Sequence, residues 1–396
     1  MPGRCPVGLK YFVHMDWSGC RVVHRLARPL SWRADPPHRH EMYDVSPALA
    51  ALPSSFTTLE AVAAGISRRV LARLARRGQL IRSHRGVYQQ NPGAQVEVER
   101  WQILEAEHLA RGRAALLAHP GHALSHQSAA LAMGLPVLLH PDMPVHLTAL
   151  TVQPRSRRVD DLVLHHSDSI INDVVEVHGL RLLTPERTVA DCLRTMRPAN
   201  AVAVADRAVG SGATTLGDVD RLLETQRRWR GRPRARAALA LVDPRRETWL
   251  ESFSFVTLHD LGVDLPTPQV EVFDEWGRFV GRVDGMWIAE GVVGEADGHG
   301  KYLIGLADVG GPSGRAAALR VVEEKVREDD LRGLGLEFVR WDTDQIRHHS
   351  LDVARHVAAA RGRGDLGRFT GRLRQGDRWL DLSEHLAGTV STVLTA

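Results

Sequence analysis

Between residues 44 and 91 the apolar positions first recur at helical spacing and then alternate. In "TTLEAVAAG", Thr57 and Glu60 are spaced for a capping box, a short helix follows, and Gly65 stops it. Ser67 caps "RRVLARLARRG", in which Val70, Leu71 and Leu74 form one face. Arg68, Arg69, Arg73, Arg76 and Arg77 cover the rest of that helix, and Gly78 ends it. "QLIRSHRGVYQQ" then reads as two short strands around Arg85 and Gly86.

This order of helix, tight turn, arginine-rich helix and basic hairpin is that of a winged helix-turn-helix. There the second helix enters the major groove of duplex DNA and the wing holds phosphates. From Ala61 to Gln90 there are seven arginines, Arg82 and Arg85 among them, and no acidic residue. Such a segment releases counterions on meeting DNA. The plainer reading is a solvated arginine-covered helix in an arginine-rich protein.

Downstream, residues 93–225 read as a mixed α/β domain. It has a helix near Val96 to Arg111, a capped helix in "ALSHQSAALAMGLP", β-like segments "PVHLTAL" and "LVLHHS", and helices from Pro185 and Ala199. His119, His122 and His126 have a spacing that raises the question of a metal. They fall on a loop and a helix start without a cysteine or carboxylate partner, and ordinary polar histidines are the commoner explanation. "RRWRGRPRAR" marks residues 226–242 as an exposed basic linker. Residues 243–347 carry helix, strand pair, helix and strand, an α/β unit. Residues 348–396 are rich in Gly and Arg and read as a loosely ordered tail with one helix, and 1–43 as a disordered or mis-assigned extension. The fold class is thus mixed, multidomain α/β.

Composition narrows the function classes. With 396 residues, 43% of them hydrophobic, the chain can bury substantial cores. No stretch approaches the ~20 apolar residues that span a bilayer, which with the lack of a signal sequence favours the cytoplasm. Cys5, Cys20 and Cys192 provide no disulfide framework. Of 51 basic residues only Lys10, Lys301 and Lys325 are lysines. There is no phosphate-binding P-loop, nucleophile elbow or dinucleotide fingerprint.

The candidate chemistry lies in "GRVDGMWIAEGVVGEADGHGKY". If Ala289 and Glu290 form the turn of a hairpin, Asp284 falls across from Glu295, with Asp297 on the same face. Facing carboxylates repel, so a cation is expected between them, most simply Mg²⁺ or Mn²⁺. Upstream, Glu251 lies on a helix that begins near Asp243 and Pro244 and is placed to reach the cluster. Lys301 and Lys325 follow the second strand.

At these residues the chain resembles two families. Residues Glu247 to Trp341 resemble very-short-patch-repair nucleases of the PD-(D/E)XK superfamily, through "LESFSFVTLHDLGV", "PTPQVEV", "GRVDGMW", "VVGEADGHGKY", "EEKVREDDLRGLG" and "FVRW". The resemblance implies a restriction-endonuclease-like domain with Glu251 as the helix acid and Asp284 and Glu295 as the metal-binding pair. Where the superfamily pattern has lysine two residues after the strand acid this chain has Asp297, so Lys301 or Lys325 would take that role.

Residues 44 to about 225 are similar to antitoxins of the type IV abortive-infection (AbiE) system, through "FTTLEAVAAGISRRVLARLARRGQLIRSHRGVY", "ALSHQSAALAMGLP" and "LLTPERTVADCLR". That similarity implies promoter binding and a cognate toxin as partner. Three readings stay open: a metal-dependent endonuclease delivered to DNA by its winged helix, a non-catalytic regulator with a degenerate nuclease-like domain, and structural acids at solvated strand ends.

Overall fold

The structure, a computed structural model, describes residues 45–53, 55–84, 86–90, 100–168, 170–298, 312–383 and 385. The extension expected over 1–43, the wing residue Arg85 and Lys301 lie outside the described residues. Residues from Val45 onward form one compact unit.

The first elements are α1 (Ser46–Ala50), β1 (Ser55–Thr57), α2 (Thr58–Ala63), α3 (Arg68–Arg76), β2 (Leu80–His84) and β3 (Val87–Gln90). The capping box of Thr57 and Glu60 is present, and Ser67 caps α3 by accepting from the Val70 N–H. β1, β3 and β2 pair in that order as an antiparallel sheet. Leu71 and Leu74 pack with Phe56, Ala61, Ile66, Leu80 and Tyr88, and Val70 lies at the edge of that core. Each fully buried leucine there contributes about 1.5–3 kcal/mol.

The middle region contains α4 (Arg100–Ala118), β4 (His122–Leu124), α5 (His126–Ala132), β5 (Val145–Ala149), β6 (Arg157–Val159), β7 (Leu162–His165), β8 (Val174–Val177) and β9 (Leu180–Leu183). Its sheet runs β6-β7-β5-β4-β9-β8. α4 packs against both sheets: the Ser55 hydroxyl donates to the Ala110 carbonyl at 2.8 Å, and Ala115 joins the core of Leu124, Leu147 and Leu182. A helical layer follows, α6 (Pro185–Thr195), α7 (Pro198–Gly210), α8 (Leu216–Thr225) and α9 (Arg232–Leu239).

The basic run expected to be a linker is folded. Ala235 and Ala238 of α9 are buried against α6 and α7, and the guanidiniums of Arg187 and Arg194 lie 4.6 and 4.7 Å from the Trp229 ring. Two arginines of α6 thus hold the tryptophan of this run through their planar faces.

The last region comprises α10 (Trp249–Asp260), β10 (Thr267–Phe273), β11 (Phe279–Trp287), β12 (Val292–Asp297), α11 (Pro312–Gly333), β13 (Glu337–Asp342), α12 (Thr343–His348), α13 (Ser350–Arg363), β14 (Arg372–Gln375) and β15 (Arg378–Trp379). Its sheet runs β13-β12-β11-β10-β14-β15, with β12 and β13 parallel. The tail expected to be loose beyond His348 instead completes this domain. Val353 and Val357 of α13 enter the core beside Trp287 and Trp341, and β14 pairs with β10. The apolar residues of this stretch are few, but they recur at helix spacing, and that suffices to dock it.

The domain joins the middle region through α10 on α7. Buried Arg246 donates to Asp206 at 3.1 Å, and Trp249 Nε1 donates to Asn200 at 3.1 Å. Inside the sheet, a Cβ on Gly285 would lie 2.6 Å from the buried Phe255 ring and 2.9 Å from Pro266. Gly285→Ala is therefore expected to destabilise the protein by about 1–3 kcal/mol through overpacking, measurable as a lower urea midpoint.

Candidate functional site

Two surfaces carry the residues expected to act. On the first, Arg68, Arg69, Arg73 and Arg76 of α3, Arg77 at its C-cap and Arg82 of the wing are all exposed, and among the described residues none pairs with an acid. The nearest acid in sequence, Glu60, is turned to its own helix, accepting from the Thr57 N–H at 2.7 Å. The amphipathic pattern explains this division: α3 buries its leucines, so its arginines can only face outward.

The second surface is built on β11, β12 and α10. The observed register, Gly285 with Gly294 and Met286 with Val293, puts Asp284 across from Glu295 as the hairpin argument expected. The turn itself is longer than two residues, a 3-10 turn over Ile288–Glu290 closed by left-handed Gly291. Asp284 Oδ2 accepts from the Ala296 N–H at 2.9 Å, which bends this carboxylate toward β12. Glu295 is 4% exposed, and its Oε1 has no hydrogen-bond partner. Burial, then the neighbouring Glu251 charge, raises Asp284 to about 7; burial, then Asp284, raises Glu295 to about 8. The two titrate as a pair, and near neutrality they share protons unless a cation is added.

Glu251 is buried in the first turn of α10, where its carboxylate accepts from the Glu247 N–H at 3.0 Å and from Gln269 Nε2 at 2.9 Å. Gln269, on β10, holds φ +54°, a costly backbone for a residue with a Cβ. In the sequence nothing in "PTPQVEV" separates this glutamine from an ordinary strand residue.

Three expectations change. Asp297 is not free for an ion shared with the other two: Arg340 Nη1 donates to it at 3.0 Å. Lys325 is exposed and forms no hydrogen bond or ion pair with the cluster. The cations beside the acids are arginines instead, Arg327 3.3 Å from Glu295, and Arg340, with Glu324 accepting from both at 2.6 and 2.9 Å. Glu324, Arg327, Glu328 and Leu331 recur at three- and four-residue spacing on α11, so one side of that helix faces the strands; Lys325 belongs to another side. That periodicity is the signal by which Arg327 was recognisable.

Among the described residues no three of these carboxylates bring ligand atoms within 4.8 Å of one another; a group that does is His126, His146 and His165. Asp284 and Glu295 still fit Mg²⁺ or Mn²⁺, because Mg²⁺ is commonly bound by one or two carboxylates while keeping its waters, and the orphaned Glu295 oxygen lacks any other partner. His119 and His122 pair edge to face with each other, apart from that trio.

Residues 49–89 match a family of regulators. Its model is described as "Transcriptional regulator, AbiEi antitoxin", and the match covers the winged helix. Two uncharacterized proteins of Mycobacterium tuberculosis, one from strain CDC 1551 and one from strain H37Rv, are each 27% identical to this chain over 192 residues. That alignment covers 48% of this chain and 66% of each relative, so the chain spans just under two thirds of their length. Among the described residues no helix is long and apolar enough to cross a membrane.

Proposed function

We propose that this protein is a DNA-binding regulator that docks on duplex DNA through α3 and the wing. The observation that carries the reading is the set of six exposed arginines without acidic partners on one helix and one hairpin. The match of residues 49–89 to AbiEi-type transcriptional regulators supports it. In such a protein α3 lies in the major groove, the wing arginines hold the backbone, and backbone contacts make affinity steeply salt-dependent. By the same similarity its protein partner is a cognate toxin, with DNA binding serving repression of the promoter. The test is duplex binding by fluorescence anisotropy across a salt series; an affinity that does not vary with salt removes the reading.

A second reading is favoured by the Asp284 and Glu295 pair: the last domain hydrolyses DNA. Asp284 and Glu295 would hold Mg²⁺ or Mn²⁺, which when bound supplies an acidified water and offsets charge on the phosphate. Glu251 and Gln269 hold the first turn of α10 against the sheet at the edge of the pair, and Arg327 beside Glu295 is placed to face an anionic phosphate. On this reading wild-type protein nicks supercoiled plasmid in Mn²⁺ and Glu295→Ala does so at least a hundredfold more slowly, about the loss expected for one key charged group. Equal traces would leave the regulator alone.

A further inference from the structure

The middle domain holds a cluster of imidazoles that neither DNA binding nor the carboxylate pair uses. His126 opens α5, His146 lies on β5 and His165 on the neighbouring β7. His146 Nδ1 and His165 Nε2 are 2.9 Å apart, and the His126 ring stacks on His165 with centroids 3.8 Å apart. One nitrogen from each residue lies within 4.8 Å of the others. We propose that His126, His146 and His165 form a binding site for a divalent transition metal of the zinc class.

Three features argue for it. First, neutral imidazole nitrogens favour zinc, copper and nickel over magnesium or calcium, and three histidines from separate elements make the donor set of an open, four-coordinate zinc centre. Second, the contact between His146 and His165 points two ring nitrogens at each other across one shared proton. In a tetrahedral site the nitrogens stand about 3.3 Å apart, so a metal replacing that proton needs only a slight spreading.

Third, the surroundings are built. The Ser128 hydroxyl accepts from the His146 N–H at 2.9 Å and also bonds His108, while Ser125 Oγ bonds His126 Nδ1 at 3.0 Å. Fully buried Asp191, fixed by Arg187 and Arg194, lies 3.9 Å from His126 Nδ1 and places a carboxylate charge beside the trio. His126 adopts φ +52°, a strained backbone that is kept where the ring meets the strands. Coordination by all three turns His126 out of its stack on His165, and the metal then ties α5 to β5 and β7.

The experiment uses the full-length chain, free of any affinity tag and stripped with a chelator. Zn²⁺ is titrated against a chromophoric competitor, and Co²⁺ is added separately to read the visible absorption of a tetrahedral nitrogen site. About one equivalent is expected per chain. Binding is lost in His146→Ala and in His165→Ala, and kept in His122→Ala and Glu295→Gln. No uptake by the wild type overturns the proposal, and so does binding that persists in the His146→Ala/His165→Ala double variant. If the alanine variants fail to fold, wild-type stoichiometry with the Co²⁺ spectrum decides: an octahedral, oxygen-type spectrum places the ion elsewhere and overturns the site.

Discussion

With divalent ions chelated at pH 8, Glu295→Gln is expected to unfold at a higher temperature than the wild type. Both carboxyls of the Asp284 and Glu295 pair titrate well above the range of an unfolded chain. Between about pH 4 and pH 8 the folded state therefore holds protons that the unfolded state has released, and stability falls as pH rises through that window. Glutamine fills the same space without the charge, so the variant escapes this loss, by roughly 2 kcal/mol at pH 8. At pH 5, where the wild-type pair is protonated, the two proteins should melt together. Adding Mg²⁺ or Mn²⁺ at pH 8 should raise the wild type and leave Glu295→Gln unmoved. The check is a set of melting curves at both pH values with and without metal; a variant less stable than wild type at pH 8 in chelator refutes the strained-pair account.

The second large effect concerns DNA. Each backbone phosphate met by an arginine contributes about 0.9 to the slope of log affinity against log salt. If α3 and the wing make about six such contacts, the wild type loses roughly three decades of affinity between about 50 and 200 mM salt. Arg73→Ala/Arg76→Ala should lower the slope by about 1.8, and its affinity should then fall by roughly two decades over the same range. Both side chains are exposed and make no described ion pair, so the fold should not suffer, which circular dichroism can verify. Unchanged affinity and slope would separate α3 from the DNA.

The winged helix was legible because its signals are local: a capping box, a serine cap, glycine stops and an arginine face all lie within a short window of sequence. The register of β11 and β12 was legible for a similar reason: the longer turn is centred on the same Ala289 and Glu290, so the opposed positions are unchanged. Arg340, the second cation of the acidic site, was not. The superfamily pattern has lysine there, whereas this chain brings Arg327 from one side of α11 and Arg340 from the parallel neighbour of β12. Parallel pairing joins residues far apart in the chain and leaves no local trace.

The histidine trio illustrates the same limit. His126 drew attention through His119 and His122, its neighbours in sequence, but its neighbours in space are His146 and His165, brought together by β5 pairing with β7. The stretch from Arg227 to Arg236 was misjudged for another reason. Counting its charges hides Trp229, which Arg187 and Arg194 of α6 clasp, and Ala235 and Ala238, which bury one side of α9.

The ion pair of Arg246 with Asp206 bears on how this chain can be divided. Asp206 also accepts from the Asp243 N–H at 2.7 Å, so the segment that leads into α10 is sewn to α7 by charge as well as by apolar packing. Separating the halves near residue 243 would break this buried pair and bare the apolar surfaces packed around it. A protease nick at that place should leave the two fragments holding together, and recombination between relatives should exchange both sides jointly or neither.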